Sequence, residues 1–522
     1  MTDSGPTESI ARRMLLRFEG ALNKIFGNDL NPFYYLGALG FFFFWVIVVS
    51  GAYLYAFYRT GAEFSYPSVE SLTKDQWYFG GIMRSLHRYA SDALVLVMVL
   101  HLLREFILGR YRGARWFAWV TGVLSIWLIY AAGINGYWMT WDKLSQYATV
   151  ATMEWFDWLP IFGSPLSSSF VSNDTLNDRF FSLISFSHAT FPLFVLFFLW
   201  IHIVRISYPL VNPKRGLAFG MLLAMLVLAL IKPAISQSPA DMGVEPSNIG
   251  IDWFYLFIYP LLDSWSAGAV WTFVIGLTVL MGVLPWLPSR FRQIPVAEVN
   301  LEHCSGCRLC VADCPYEAVV MKHRSDGLHF PEEAVVVPDR CVSCGICIGS
   351  CPSSTPYRSE TAYVSGIEMP SMPISGLRAS MVKDLAKLDG DARVMVFGCD
   401  NAADIGKLRS QGVAVMSLPC TAMLPSSFID YAMREHQVDG VFITGCRESD
   451  CYHRMGGLWT EQRLMAKREP RLRNRAERNR IRQFWASSAD FGELVLELES
   501  FRASLRSLNK SENTTKEITK RV

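Results

Sequence analysis

Long runs of apolar residues, broken by short polar segments, dominate the first 290 positions. They fall at about 33–58, 82–107, 116–137, 181–206, 217–235 and 266–287. Each run is long enough for a helix to cross the roughly 30 Å hydrocarbon core of a bilayer, so the pattern predicts six spans. A shorter stretch before the first of them, "SIARRMLLRFEGALNKIF", has an amphipathic helix pattern and reads as an interfacial leader over 1–32, or as an ordinary solvated one. Beyond position 300 the pattern changes. A compact region over 299–356 is followed by a Ser/Pro-containing linker over 357–390. Strand-like runs then appear, "ARVMVFGC", "VAVMSLPC" and "VDGVFITGC", with helix candidates "NAADIGKLRS" and "SSFIDYAMREH" between them. This alternation predicts a small α/β unit with a parallel sheet over 391–522. The Arg-rich run from Arg463 to Arg482 reads as a solvated helix face or a docking surface for an acidic partner.

Charge orients the spans. The loops carrying Arg110, Arg112 and Arg115, then Lys214 and Arg215, then Arg290 and Arg292, fall on one side. Glu154, Asp157, Asp174, Asp178, Asp241 and Glu245 fall on the other. Basic loops mark the cytoplasmic side, which predicts a cytoplasmic N-terminus and a cytoplasmic region after the last span. No cleavable signal is expected. A net charge of +2 over 522 residues gives no reason to expect nucleic acid. The twelve cysteines include two tight clusters behind the membrane region, which is the usage of metal in a reducing compartment.

Two apolar runs contain paired histidines. His87 and His101 lie 14 residues apart, and so do His188 and His202. At about 100° and 1.5 Å per residue the members of a pair share one helix face, roughly 21 Å apart in depth. Ionisable groups at such positions are expensive and usually functional. Pairing His87 with His188 and His101 with His202 gives two bis-histidine sites, suited to haem iron. Arg84, Arg88, Arg104 and Arg205 lie close enough in sequence to partner haem propionates. Gly40, Gly51, Gly122, Gly133 and Gly136 are positions where a flat macrocycle could approach the backbone, or equally where helices simply pack closely.

The segments "NPFYYLGALGFFFFWVIVVSGAYLYAFY", "SLHRYASDALVLVMVLHLL", "GYWMTWDKLSQYAT" and "FFSLISFSHATFPLFVLFFLWIHIVR" resemble cytochrome b of quinol–cytochrome oxidoreductases over about 20–290. The resemblance implies a four-helix bundle over 33–215 with two b haems, on His87 with His188 (outer) and His101 with His202 (inner). It also implies two further transmembrane helices over 216–290 with a quinone-site-like loop. The family's Pro-Glu-Trp-Tyr motif is altered here to Ile251, Asp252, Trp253, Phe254, leaving Asp252 as the candidate proton acceptor from a quinol.

"CSGCRLCVADCP" and "CVSCGICIGSCP" each follow C-x2-C-x2-C-x3-C-P. At this spacing the fourth cysteine serves the other cluster. One [4Fe–4S] centre is therefore expected on Cys304, Cys307, Cys310 and Cys351, and a second on Cys341, Cys344, Cys347 and Cys314. The region resembles a bacterial two-cluster ferredoxin. In the last region Cys399, Cys420 and Cys446 end predicted strands and Cys451 follows closely. From the residues alone, a [2Fe–2S] site and a scatter of reactive thiols are equal readings. "FGCDNAADIGK", "SLPCTAMLP" and "VDGVFITGCRESDCYHRMGG" resemble the MvhD-type iron–sulfur subunit, which joins hydrogenases to heterodisulfide-reductase-type flavoproteins. That resemblance implies a [2Fe–2S] cluster on the four cysteines and a flavoprotein partner. Ala402 replaces the family's second cysteine.

The parts together are expected to form a multi-pass electron-transfer subunit of a bacterial inner membrane. Electrons would pass from a cytoplasmic flavoprotein or heterodisulfide-reductase-like oxidoreductase to membrane quinone, in a homodimer or larger complex. The alternatives are the reverse flow, from quinol to a cytoplasmic reductase, and a redox-sensing anchor for a soluble complex.

Overall fold

The computed structural model describes residues 10–170, 176–204, 210–287, 295–358, 363–473 and 476–521, with no side chains described at 114 or beyond 511. The chain divides into two compact units. One comprises 26–205 with 210–288; the other comprises 1–25, 206–209 and 289–522.

The opening helix α1 (Ile10–Phe26) belongs almost wholly to the second of these units. Its polar Glu19 and Asn23 are buried, and Asn23 donates to Asp490 at 2.9 Å. Ile10, Met14 and Ile25 are exposed. The helical unit then runs through α2 (Leu36–Phe57), α3 (Ser65–Lys74), α4 (Gly80–Ile107), α5 (Trp116–Thr140), α6 (Lys143–Asp157), α7 (Leu166–Phe170), α8 (Asp178–Val204), α9 (Arg215–Ile231), α10 (Tyr259–Ser264) and α11 (Ala267–Val283). Boundaries follow from local chemistry. Trp141 takes a left-handed backbone (φ 52°) that ends α5, and Asp142 caps α6 by accepting from Ser145 N–H at 2.9 Å. The helices tie together through indoles: Trp119 donates to Met281 O at 2.7 Å and Trp271 to Trp155 O at 3.1 Å.

Four helical segments among the described residues, not six, are long and apolar enough to cross a membrane: Pro32–Phe57, Trp116–Thr140, Asp178–Val204 and Ala267–Trp286. The run at 82–107 is a 28-residue helix, α4, with ample length. It carries Arg84, His87, Arg88, Asp92, His101, Arg104 and Glu105, so it lacks the apolarity of a simple span. The run at 217–235 folds as α9, only 17 residues. That is roughly 25 Å of helix, short of the hydrocarbon thickness. The exposed Leu193, Phe197 and Trp200 on α8, and Phe273 and Leu280 on α11, give the bundle an apolar outer face.

The second unit continues with β1 (Glu298–Val299), α12 (Leu309–Ala312), β2 (Val319–His323), β3 (Glu332–Val336), α13 (Ile346–Ser350), β4 (Ile367–Glu368) and α14 (Ile374–Leu385). β1 pairs antiparallel with β4, and β2 with β3. Next come β5 (Val394–Cys399), β6 (Val413–Leu418), α15 (Ser427–Arg434), β7 (Gly440–Gly445), α16 (Gly456–Leu464), β8 (Ile481–Trp485) and α17 (Phe491–Arg521). These strands form a four-stranded parallel sheet in the order β6-β5-β7-β8. The segment expected to be a linker is structural: Ile374, Leu377 and Met381 of α14 share one buried cluster with Ile348 of the ferredoxin region and Phe397 of the sheet.

Two segments of this unit fold otherwise than their sequence pattern predicts. The helix expected over "NAADIGKLRS" is only a 3-10 turn at Ile405–Leu408, capped by Asp404 accepting from Gly406 N–H at 3.1 Å. The run Arg463–Arg482 is not a solvated helix. Arg463 is 2% exposed and Arg480 is buried, while Ile481 and Arg482 begin the fourth strand. Arginine density hid the apolar Ile481, Phe484 and Trp485 of that strand.

Candidate functional site

In the helical unit α2 packs along α4 and α5 along α8, whereas no comparable contact joins α4 to α8 among the described residues. His87 faces His188 across this division, with ring centroids 6.2 Å apart and planes at 69°. A metal–imidazole bond is about 2 Å, and roughly another 1 Å separates nitrogen from ring centre, so two axial imidazoles on one metal lie roughly 6 Å apart. The observed separation fits that demand. In the other pair, His101 lies within electrostatic reach of His202.

Each ring's Nδ1 is already committed where a partner is described. His87 Nδ1 is 3.0 Å from Ile47 O and 3.2 Å from Ser50 Oγ. His188 Nδ1 is 3.0 Å from Ala132 O. His202 Nδ1 is 3.1 Å from Thr121 Oγ1. A backbone carbonyl fixes Nδ1 as the donor, which leaves the Nε2 lone pair for a metal. The fit to haem is thus good at the donor atoms.

Glycines face the same four rings. A Cβ on Gly51 would lie 2.8 Å from His87 Cε1, and one on Gly136 2.8 Å from His188 Cε1. For Gly122 and His202 the distance is 3.1 Å, and for Gly37 and His101 it is 3.5 Å. The glycines are 14 apart on α2 and 14 apart on α5, in register with the histidines of α4 and α8. Gly37 escaped the sequence reading, although its interval to Gly51 is the same as that of the histidines. Two other glycines do different work. Gly40 faces Leu94 and Val97, and Gly133 is pressed against the Tyr255 ring.

The arginines near the histidines are engaged with protein groups. Arg84 donates to Ser236 Oγ at 2.7 Å and to Thr73, and pairs with Glu70 at 3.4 Å. Arg88 reaches Asp92 at 3.2 Å and Asp252 at 3.1 Å. Arg104 is buried, 3.7 Å from Glu105. Arg205 lies outside the described residues. Asp252 is buried, accepts from Tyr137 and from Phe254 N–H at 2.9 Å, and shares Arg88 with Asp92. The tyrosine displaced from the family motif, Tyr255, is buried and donates to Ser91 O at 3.1 Å.

In the other unit Cys314, Cys341, Cys344 and Cys347 line one cavity. Cys310 lies within electrostatic reach of Cys351, Cys307 and Cys304. Cys310 is also within electrostatic reach of Cys347, so the two groups of thiols are neighbours. Among the described residues, no three His, Cys, Asp or Glu side chains are placed to hold a single metal ion. A cubane cluster does not ask for that, because each of its thiolates binds a different iron and the ligands surround a space. Backbone N–H groups point at the sulfurs, as Ala318 does at Cys314 Sγ (3.2 Å), which suits thiolate charge.

Cys399, Cys446 and Cys451 cluster with Ala402 at the carboxyl ends of β5 and β7. Cys399 Sγ is 3.8 Å from Cys446 Sγ, and Cys446 is a hydrogen-bond partner of Cys451. A Cβ on Gly456 would strike Cys420 Sγ and lie 3.9 Å from Cys451 Sγ, so Cys420 borders the same place. β6 and β7 flank β5 on opposite sides, which makes this the point where the sheet order reverses and a crevice forms. Asn401 N–H points at Cys399 Sγ at 3.4 Å. Four soft donors with amide support fit a small iron–sulfur cluster.

Comparison with known proteins gives three family matches. Residues 22–209 match Cytochrome b/b6/petB, 303–355 match the 4Fe-4S dicluster domain, and 390–509 match the methyl-viologen-reducing hydrogenase, delta subunit. A curated relative, Cytochrome b/c1 of Bradyrhizobium diazoefficiens, is 26% identical over 297 residues. The match takes in 50% of this chain, which spans 42% of that protein's length. A solved structure titled "Hyperthermophilic respiratory Complex III" aligns with TM-score 0.41 and 20% identity, over 50% of this chain and 77% of that one.

Proposed function

We propose, from the premise that the chain joins a cytochrome-b-like membrane domain to a 4Fe–4S ferredoxin domain and a hydrogenase-associated iron–sulfur domain, that it is a membrane-anchored electron-transfer subunit which reduces quinone. Electrons enter from a cytoplasmic flavoprotein or heterodisulfide-reductase-like oxidoreductase. Bound clusters and haems supply one-electron carriage, and a quinone takes two electrons and two protons in the bilayer.

The chain's own residues supply position and electrostatics. Cys399, Cys420, Cys446 and Cys451 would hold one [2Fe–2S] cluster. Cys304, Cys307, Cys310 and Cys351 would hold one [4Fe–4S] cluster, and Cys314, Cys341, Cys344 and Cys347 the other. His87 with His188 and His101 with His202 would hold two b haems, with the opposed glycines giving the imidazole rings their room. Asp252, paired with Arg88 at 3.1 Å, would take a proton from quinol in the reverse, quinol-oxidising direction. The observation that carries the reading is the meeting of His87 and His188 at 6.2 Å with each Nδ1 fixed by a backbone carbonyl.

The direction is tested by potentiometric titration of the five centres in the purified full-length chain. Potentials rising from [2Fe–2S] through the [4Fe–4S] centres to haem support quinone reduction. Potentials that fall along the same series contradict it and favour the reverse flow.

A further inference from the structure

The two ferredoxin motifs are alike in sequence and unlike in surroundings. The first leans on the β2–β3 hairpin: Arg308 pairs with Glu332 at 2.6 Å, and Arg324 donates to Cys304 O at 2.5 Å. The second is pressed against the loop that follows β6. Cys344 and Cys420 share one buried cluster with Ile346, Ala422 and Trp459. The approach there is at backbone distance. A Cβ on Gly345 would lie 2.5 Å from Met423 Sδ, and one on Gly349 would strike Ala422 O and lie 2.7 Å from Arg463 Nη1.

Arg463 fastens this contact. Its Nη1 donates to Ala422 O at 2.7 Å, and its Nη2 donates to Ser350 Oγ at 2.7 Å and pairs with Asp313. Arg468 Nε also donates to Asp313, at 2.8 Å. Asp313 precedes Cys314, the ligand that the first motif contributes to the second cluster. A second tie lies alongside, with Tyr316 OH 2.8 Å from His453 Nδ1, two residues after Cys451. Burying an arginine–aspartate pair is a poor route to stability when apolar packing would serve. The guanidinium fork instead fixes orientation, because its donors are planar and rigid.

We propose that this junction is a positioning device. Arg463, braced by Asp313 and Arg468 and admitted by Gly345 and Gly349, makes the site on Cys314, Cys341, Cys344 and Cys347 the neighbour of the site on Cys399, Cys420, Cys446 and Cys451. The site on Cys304, Cys307, Cys310 and Cys351 is the remote member. The inference rests on the ligand assignments above and needs no quinone reaction.

Pulsed EPR of the full-length, anaerobically reduced protein reads it through the spin relaxation of the reduced [2Fe–2S] signal, which a neighbouring paramagnetic cluster accelerates. Cys307→Ala removes a ligand of the remote site at an exposed position and is expected to leave the acceleration intact. Cys347→Ala is expected to slow relaxation several-fold. Arg463→Lys, at unchanged iron and haem content, is expected to weaken the acceleration, since an ammonium cannot span Ala422 O, Ser350 and Asp313 together. Acceleration lost in Cys307→Ala, or unchanged in Arg463→Lys, overturns the proposal. Either result leaves the quinone reading standing, and a failed quinone reaction leaves these signals unaltered.

Discussion

The helical bundle and the iron–sulfur unit solve the same problem, holding redox centres, by opposite means. In the bundle each candidate site is assembled from four helices at one depth, and the second site repeats the first 14 residues along. No local motif is needed, because the helix period does the placing. In the iron–sulfur unit three of the four candidate ligands of each ferredoxin site come from one short motif and the fourth from the other motif, while the last site draws on the ends of parallel strands and the turn after one. The bundle separates its centres by repetition. The other unit, on the reading proposed above, brings two of its candidate sites together through a buried ionic junction.

The largest expected effect breaks that junction. Arg463→Ala leaves Asp313 with Arg468 and Ser350 as partners and takes from Ala422 O its buried arginine donor, and should cost about 3–5 kcal/mol. Chemical denaturation of the iron–sulfur unit should show it, with haem absorbance unaffected. Next, serine at Cys399, Cys420, Cys446 or Cys451 should remove the [2Fe–2S] signal, because a hard alkoxide replaces a soft thiolate and Ala402 offers no spare ligand. Iron and acid-labile sulfide analysis measures the loss. His101→Ala or His202→Ala should then remove the inner haem and spare the outer, halving the pyridine haemochrome. The smallest effects sharpen the account by being graded. Gly51→Ala and Gly136→Ala force a Cβ within 2.8 Å of a histidine ring. Overpacking of this kind costs about 1–3 kcal/mol and should lower outer-haem occupancy. Gly37→Ala places its Cβ at an ordinary 3.5 Å. With helix propensity in its favour by up to about 1 kcal/mol, it should keep full haem content.

This contrast also explains what could be read from sequence. His87, His101, His188 and His202 were legible because 14 residues is nearly a whole number of helical turns, and the eight ferredoxin cysteines because their spacing is local. Gly37 was equally periodic but was overlooked, because a glycine in an apolar run has many explanations. The number of spans was misjudged because length was weighed without the seven ionisable residues of α4 or the shortness of α9. Arg463, Asp313, Tyr316 and His453 were not legible at all. Their meaning lies in contacts across 113 to 155 positions of chain, and nothing in their local sequence announces a partner that distant.

The central claim, a continuous redox path between the iron–sulfur unit and membrane quinone, meets its most direct test in anaerobic mixing of purified, oxidised full-length protein with a quinol analogue. The account predicts that the b-haem absorbance and the iron–sulfur EPR signals both respond and settle to one common ambient potential, whichever way the physiological current runs. Haem absorbance that stays oxidised at every quinol-to-quinone ratio, in protein loaded with both haems and all three clusters, would contradict it.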